Sequence, residues 1–413
     1  MGTKHVGEAR SRVDGPAKVQ GLARYAAEFP QEGMLHGVVI SSAIAKGRIL
    51  KIDTKEAENV SGVEAVLTHE NTDKQAYFDL SHKDMDAPPG SPFRPLHDAQ
   101  IHFSMQPIAL VLADSIETAR YAAALVEVEY ETAPFRTRLL EHLQDSESGK
   151  GLRAGVESPK STGDFTAAYQ KAAVTHDAMY YHEAEHHNPM EMHVSTVHYA
   201  EDGSLTIYDK TQGVLNSQHY VRMVFGLKRR KVRVLSPYVG GAFGSGLRPQ
   251  YQLYLAVLAA LALRRSVKVE LTRSQMFSFG HRPATAQQIC LGASREGKLL
   301  ALRHAAYGET SRAEKYIENV VVWGGKLYDV DNVDEIYRVV RLDRFTPLDM
   351  RAPGGATGAF ALESAMDELA VALEMDPLEL RLRNYTETDR REDKPFSSKA
   401  LRECYEQGAV RFG

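Results

Sequence analysis

The run Gly240-Gly241-Ala242-Phe243-Gly244-Ser245-Gly246 sets four glycines around one phenylalanine, with Ser236-Pro237 before it and Arg248-Pro249 after. Glycines let a backbone come close to a ligand and turn its N–H groups outward, and a helix start behind them adds partial positive charge. The run lacks the Lys-Ser/Thr ending of a phosphate-binding P-loop, and it does not fit the G-x-G-x-x-G dinucleotide spacing. From these residues alone, a turn that packs a helix onto a sheet is as good a reading as a ligand cradle. His182, His186, His187 and His193 form a second cluster. Pro189 interrupts any helix that would align them, and they lack carboxylate or cysteine support, so no protein-ligated metal is expected there. Glu363, Asp367 and Glu368 read as the acidic first half of a helix, where dipole pairing and a solvated face outweigh catalysis. Arg273, Arg381 and Arg383 read as structural ion-pair partners.

The elements that must position these residues are strands and helices in mixed order. Lys231–Leu235 reads as a buried strand and Tyr251–Leu263 as an almost wholly apolar helix, so the glycine run is a strand-to-helix loop. Upstream, Met34–Ile40, Gly47–Ile52, Val63–Leu67, Gln106–Ala113 and Val126–Glu131 read as strands. Lys55–Asn59 reads as a short helix, and Ser115 caps another. Residues 12–25 carry two closely spaced glycine turns and read as a short meander. Residues 80–100 are proline-rich and read as an extended loop. Residues 136–160 are charged and rich in Ser and Gly, a linker signature. Beyond them Val174–Tyr180 and Ser204–Tyr208 read as strands, and Phe360–Leu373, Pro377–Asn384 and Lys399–Arg411 as helices. The predicted class is α+β, mixed α/β, with units at 1–135 and 161–413 and a linker at 136–160. The close on Phe412-Gly413, without a polar tail, reads as a chain cut short.

Composition narrows the function. The 413 residues carry a net charge of -4, which gives no electrostatic case for nucleic acid. The longest apolar run falls short of the roughly 18–20 residues that a membrane span needs. Cys290 and Cys404 are the only cysteines, too few for an iron–sulfur cluster or a cysteine zinc site. Any electron transfer therefore passes to another chain or cofactor. The opening residues have no apolar core and no twin arginine, so no signal peptide is visible.

With these residues set out, a resemblance becomes specific. Arg12-x-Asp14-Gly15-x-x-Lys18-Val19-x-Gly21-x-Ala23-x-Tyr25, Gly33-Met34-Leu35-His36, Gly62-Val63-x-Ala65-Val66 and Gln106-Pro107-Ile108-Ala109 are similar to the opening "hammerhead" domain of the xanthine dehydrogenase and aldehyde oxidase family. The family usually has Gly where this chain has Met105. His187-Asn188-Pro189-Met190-Glu191, Thr211-Gln212-Gly213, the loop Gly240–Gly244 and Met350-Arg351-Ala352-Pro353-Gly354 resemble its first molybdopterin-binding domain. The resemblance covers essentially the whole chain and is nearest to the bacterial periplasmic aldehyde oxidases.

The resemblance implies a molybdenum hydroxylase that oxidises aldehydes, aromatic or N-heterocyclic ones among them, to carboxylic acids with oxygen from water. It implies a molybdenum–molybdopterin cofactor, in bacteria of the cytosine dinucleotide form, with a 2Fe-2S subunit and an FAD subunit taking the electrons. By motif position Gln212 faces the cofactor's apical oxo ligand, the backbone of Gly240, Gly241, Ala242, Phe243 and Gly244 passes beside it, and Arg351 and Ala352 face its other side. The glycines are expected to spare the cofactor a collision with a side chain. Leu247 stands near the place where purine-oxidising members carry Glu, which favours a neutral aldehyde. The family's catalytic Glu lies in a second molybdopterin domain absent from this chain, so no catalytic residue is expected here, and a C-terminal molybdopterin-domain polypeptide is expected as partner. A structural half-subunit that binds no cofactor and a stand-alone phosphate- or nucleotide-binding module are the competing readings. A cytoplasmic location is the plain reading, and the family's periplasmic branch implies co-export with a signal-bearing partner subunit as the other.

Overall fold

The computed structural model describes residues 7–73, 93–149, 157–312 and 316–413. Its centre is a seven-stranded sheet. From edge to edge run Val232–Leu235, Leu205–Asp209, Val194–Tyr199, Val267–Glu270, Leu35–Ser41, Pro107–Ala113 and Val63–Thr68. The seam is parallel: Leu35 pairs with Val267 and Gly37 with Val269. Strands from both parts of the sequence thus share one hydrogen-bonded layer. Tyr251–Leu263 covers this sheet over Val194–Tyr199 and Val267–Glu270, and every residue from Tyr251 to Ala260 is buried. That explains its lack of a polar face, since a helix buried all round needs none.

A second sheet, of five strands, runs Glu147–Ser148, Asn332–Leu342, Leu299–Ser311, Thr285–Ala293 and Val174–His182. Helix Gly355–Ala372 lies on its last two strands through Ala361, Leu362, Ala365, Met366 and Leu369. A small sheet of Gln100–Ile101, Gly47–Asp53 and Glu127–Thr132 completes the N-terminal part. The mixed α+β class follows.

Several local expectations need correction. Residues 15–19 form a short helix, Gly15–Val19, rather than a meander: Pro16 sits in its first turn, where a missing N–H costs nothing, and Lys18 pairs with Asp14 at 2.6 Å. Within 136–160, residues 139–145 form a 3-10 turn anchored by buried Leu139, and Glu147–Ser148 pairs with the second sheet, so this part is attached to the fold; 150–156 lie outside the described residues. Helix Gly355–Ala372 starts before Phe360, which places Glu363, Asp367 and Glu368 past its first two turns. They answer side chains there, not the dipole: Arg381 binds Glu363 and Asp367 at 2.7 Å each, and Tyr180 donates to Glu368 at 2.8 Å. Arg383 pairs with Glu379. Arg273 has no carboxylate partner among the described residues and instead donates to the carbonyls of Pro189 and Met190. Part of the stretch 80–100, at 80–92, lies outside the described residues.

Candidate functional site

The site forms because two parallel neighbours end together. Leu205–Asp209 and Val232–Leu235 run side by side in register, Tyr208 against Leu235. Their carboxyl ends therefore release two loops at one place, the usual position for ligand loops in such sheets. The first loop carries Gln212 into helix Val214–Val224; the second is Gly240–Gly246. Gln212 N donates to Gly246 O at 2.7 Å, and Ser236 Oγ to Thr211 O at 3.3 Å, so the loops are laced together.

Gln212 is exposed, and its Oε1 accepts from Gly244 N at 3.2 Å. A carbonyl oxygen must take that N–H, which fixes the amide orientation and leaves Nε2, a double donor, as the end open to a ligand. Phe243 stands beside it, 49% exposed and at φ +56°. Its carbonyl accepts from Arg351 N at 2.8 Å, tying the glycine loop to the third loop, which leads into helix Gly355–Ala372. Ala352, also exposed, has φ +57°. Two non-glycine residues in the left-handed region on adjoining loops are local strain of the kind that gathers at ligand sites.

The glycines answer to protein, not only to a ligand. At Gly244, φ +111°, a Cβ would lie 2.0 Å from Asp349 O. At Gly240 it would lie 2.7 Å from Glu191 Cβ. Gly241, φ +90°, has room for a Cβ, with Phe243 and Pro189 no nearer than 3.5 Å, and only its backbone conformation demands glycine. The reason expected from the resemblance, collision with a cofactor, is thus supplemented by close approach of the chain to itself.

Polar residues brace this arrangement from behind. Glu191 accepts from Gly240 N at 2.7 Å and from Ala26 N at 3.4 Å, and burial raises its pKa. His187 bonds Asp349 O at 2.8 Å, and burial lowers it to about 4, so it is neutral and donates. Arg282, buried, donates to Arg351 O at 2.8 Å and Ala352 O at 3.3 Å and pairs with Glu185 at 2.6 Å. Glu318 accepts from Gly354 N at 2.8 Å and from Tyr316 Oη at 3.0 Å; burial pushes it up to about 7. Lys210 donates to Ser245 Oγ at 3.1 Å, and burial lowers it to about 8.

Gln212, Gly240, Gly241, Ala242, Phe243, Gly244, Arg351 and Ala352 are therefore brought together by direct bonds or chain adjacency. Leu247 follows the loop, 41% exposed, whereas Arg248 turns inward to Asp349 at 3.4 Å. The histidines disperse: His182 ends a strand, His186 stacks on Phe277, and His193 bonds Ser245 Oγ at 3.3 Å. Arg282, Glu318 and Lys210 escaped the sequence reading, because a buried polar residue carries no local mark; Ser245 stood inside the glycine run but was given no role. Glu191 did stand inside a quoted motif, and its place among apolar neighbours was a usable signal.

A molybdopterin cofactor fits this set. An open amide donor, a strained peptide at Phe243 and the Arg351–Ala352 loop meet at one exposed place, over a loop whose conformation is fixed by its own packing. Comparison with known proteins agrees. The model of the molybdopterin cofactor-binding domain matches residues 152–385, and that of the aldehyde oxidase and xanthine dehydrogenase a/b hammerhead domain matches residues 20–134. The aldehyde oxidoreductase molybdenum-binding subunit PaoC of Escherichia coli K12 is 35% identical over 99% of this chain and 54% of its own length. The chain thus spans about half the length of such relatives. The nicotinate dehydrogenase large molybdopterin subunit of Eubacterium barkeri is 25% identical over 92% of this chain and 89% of its own length. The solved aldehyde oxidoreductase of Desulfovibrio gigas superposes with a TM-score of 0.83 and 26% identity, over 97% of this chain and 46% of that one. From loops, strain and likeness together, the chain belongs to the aldehyde oxidase and xanthine dehydrogenase family of molybdenum oxidoreductases, as a molybdopterin-binding part of it.

Proposed function

We propose that the chain is the N-terminal, cofactor-cradling part of the catalytic subunit of a molybdenum hydroxylase that oxidises aldehydes to carboxylic acids with water as the oxygen source. When bound, the cofactor supplies the oxygen transfer and the two-electron redox chemistry. What this chain does is hold it. Gln212 Nε2 is a preorganised donor, the Phe243 and Gly244 backbone and the Arg351–Ala352 peptide flank the cofactor, and Leu247 offers an apolar wall that favours a neutral aldehyde. The cofactor is proposed to be the cytosine dinucleotide form. Electrons would leave to a 2Fe-2S subunit and an FAD subunit, and the catalytic Glu would come from a C-terminal molybdopterin-domain polypeptide. A molybdopterin subunit of nearly this length, the nicotinate dehydrogenase one, supports a split arrangement. So do Met190, Leu215, Phe243 and Leu247, large apolar side chains exposed on or beside the site loops.

The observation that carries the reading is the capture of Gln212 Oε1 by Gly244 N, which leaves Nε2 of this exposed side chain as the donor end open to a ligand. The test is the molybdenum and pterin content of the purified protein with intact masses of every copurifying polypeptide. Stoichiometric molybdenum with a second polypeptide is expected. Neither present would sink this reading in favour of a structural half-subunit.

A further inference from the structure

Lys210 is the least expected group near the site. It is 1% exposed, and among the described residues no carboxylate lies within ion-pair distance of it. Glu191 and Asp209 act on it only through space, Arg273 opposes it, and it in turn disfavours charge on His193 and His187. Asp209 is already engaged by Ser195 at 2.6 Å and Ser217 at 2.8 Å. A buried ammonium without a paired anion is costly, so its retention calls for a task.

The task can be read from the bonds around Ser245. Three groups meet its Oγ: Lys210 Nζ at 3.1 Å, His193 Nε2 at 3.3 Å and Ala242 O at 2.9 Å. An ammonium is donor-only, and neutral His193 carries its proton on Nε2, since a proton on its buried, unpartnered Nδ1 would be an unpaired donor; Ser245 Oγ therefore accepts from both and keeps its single proton for a carbonyl. Ala242 O takes that proton and also accepts Ser245 N at 3.0 Å. With its carbonyl held inward, the Ala242–Phe243 peptide, which is trans, must turn the Phe243 N–H the opposite way. We propose that Lys210 is a positioning residue of the glycine loop: its ammonium forces the Ser245 proton onto Ala242 O and so fixes the Phe243 N–H as an outward donor on the cofactor face. That face rests on the function proposed above; the relay does not. A neutral amine would offer Ser245 a competing acceptor and release the Ala242 carbonyl.

The test is hydrogen exchange of segment 240–246 in the full chain, for wild type, Lys210→Met, Ser245→Ala and the double variant. Lys210→Met removes the donor that holds the Ser245 hydroxyl in this orientation and Ser245→Ala removes the hydroxyl itself, so each single variant should speed exchange of the Gly244 and Ser245 amides about tenfold, the effect of one lost hydrogen bond, and the double variant no further. Strands Val194–Tyr199 and Val267–Glu270 should exchange as before. After correction for intrinsic rates, wild type should approach Lys210→Met as pH rises past 8, while Ser245→Ala stays level. Unchanged exchange in Lys210→Met, loosening spread over the whole sheet, or additive effects would overturn the relay. If Lys210→Met does not fold, Ser245→Ala and the wild-type pH series decide it. Molybdenum content of the same samples reads the cofactor assignment separately: metal-free wild type with the exchange pattern intact supports the relay and removes the cofactor face.

Discussion

Gln212 and Gly244 face the same place yet depend on the protein in different ways. Gln212 is exposed, with one bond to the loop, so Gln212→Ala should cost no more than about 1 kcal/mol of stability. On the function proposed above, it should lower turnover of the assembled enzyme about a hundred- to thousandfold, the usual cost of one lost preorganised donor. A large fall in melting temperature with normal activity would contradict this. Gly244→Ala should be far worse than Gly241→Ala: the first adds a 2.0 Å clash with Asp349 O to left-handed strain, the second only the strain, roughly 1–2 kcal/mol. Denaturant midpoints for the pair read this directly. Met105 gives the opposite sign. It sits at φ +65°, where the family's usual Gly would be unstrained, so Met105→Gly should raise stability by about 1 kcal/mol. Glu318 adds a pH dependence. Its folded pKa, about 7, lies above the unfolded value near 4.5. Its contribution is therefore fully present below about 4.5 and is lost as pH rises through 7, about 3 kcal/mol in all. Glu318→Gln should flatten stability across that window, as urea titrations at pH 4.5 and 7.5 would show.

At the scale of elements, legibility followed locality. Tyr251–Leu263 was readable to its ends because thirteen residues without a charge leave only a buried helix. Ser115 was readable as a cap, and its Oγ does accept from Thr118 N. Gly15–Val19 was not readable, since one turn of helix between two glycines has the composition of a bend. The glycine loop was visible as an anomaly, but the residues that brace it were not: Arg282, Glu318 and Lys210 look like surface charges until the third dimension buries them. Arg282 holds two carbonyls of the Arg351–Ala352 loop, so Arg282→Leu should free that loop. Faster exchange at 349–354 and loss of bound molybdenum, with the five-stranded sheet unaffected, is the expected signature.

Across the whole molecule, the sheet joins what the two family models divide. Local periodicity could not show this, because the pairing of Leu35 with Val267 has no counterpart in neighbouring residues. A fragment ending at 135 would leave strand Leu35–Ser41 with an open edge beside Pro107–Ala113, and it should self-associate in gel filtration. The same seam has a consequence during synthesis. The partner strand Val267–Glu270 leaves the ribosome on the order of tens of seconds after Leu35–Ser41, at usual elongation rates. For that interval the N-terminal strands wait with a bare hydrogen-bonding edge open to wrong partners, and the site cannot form until the later strand closes it.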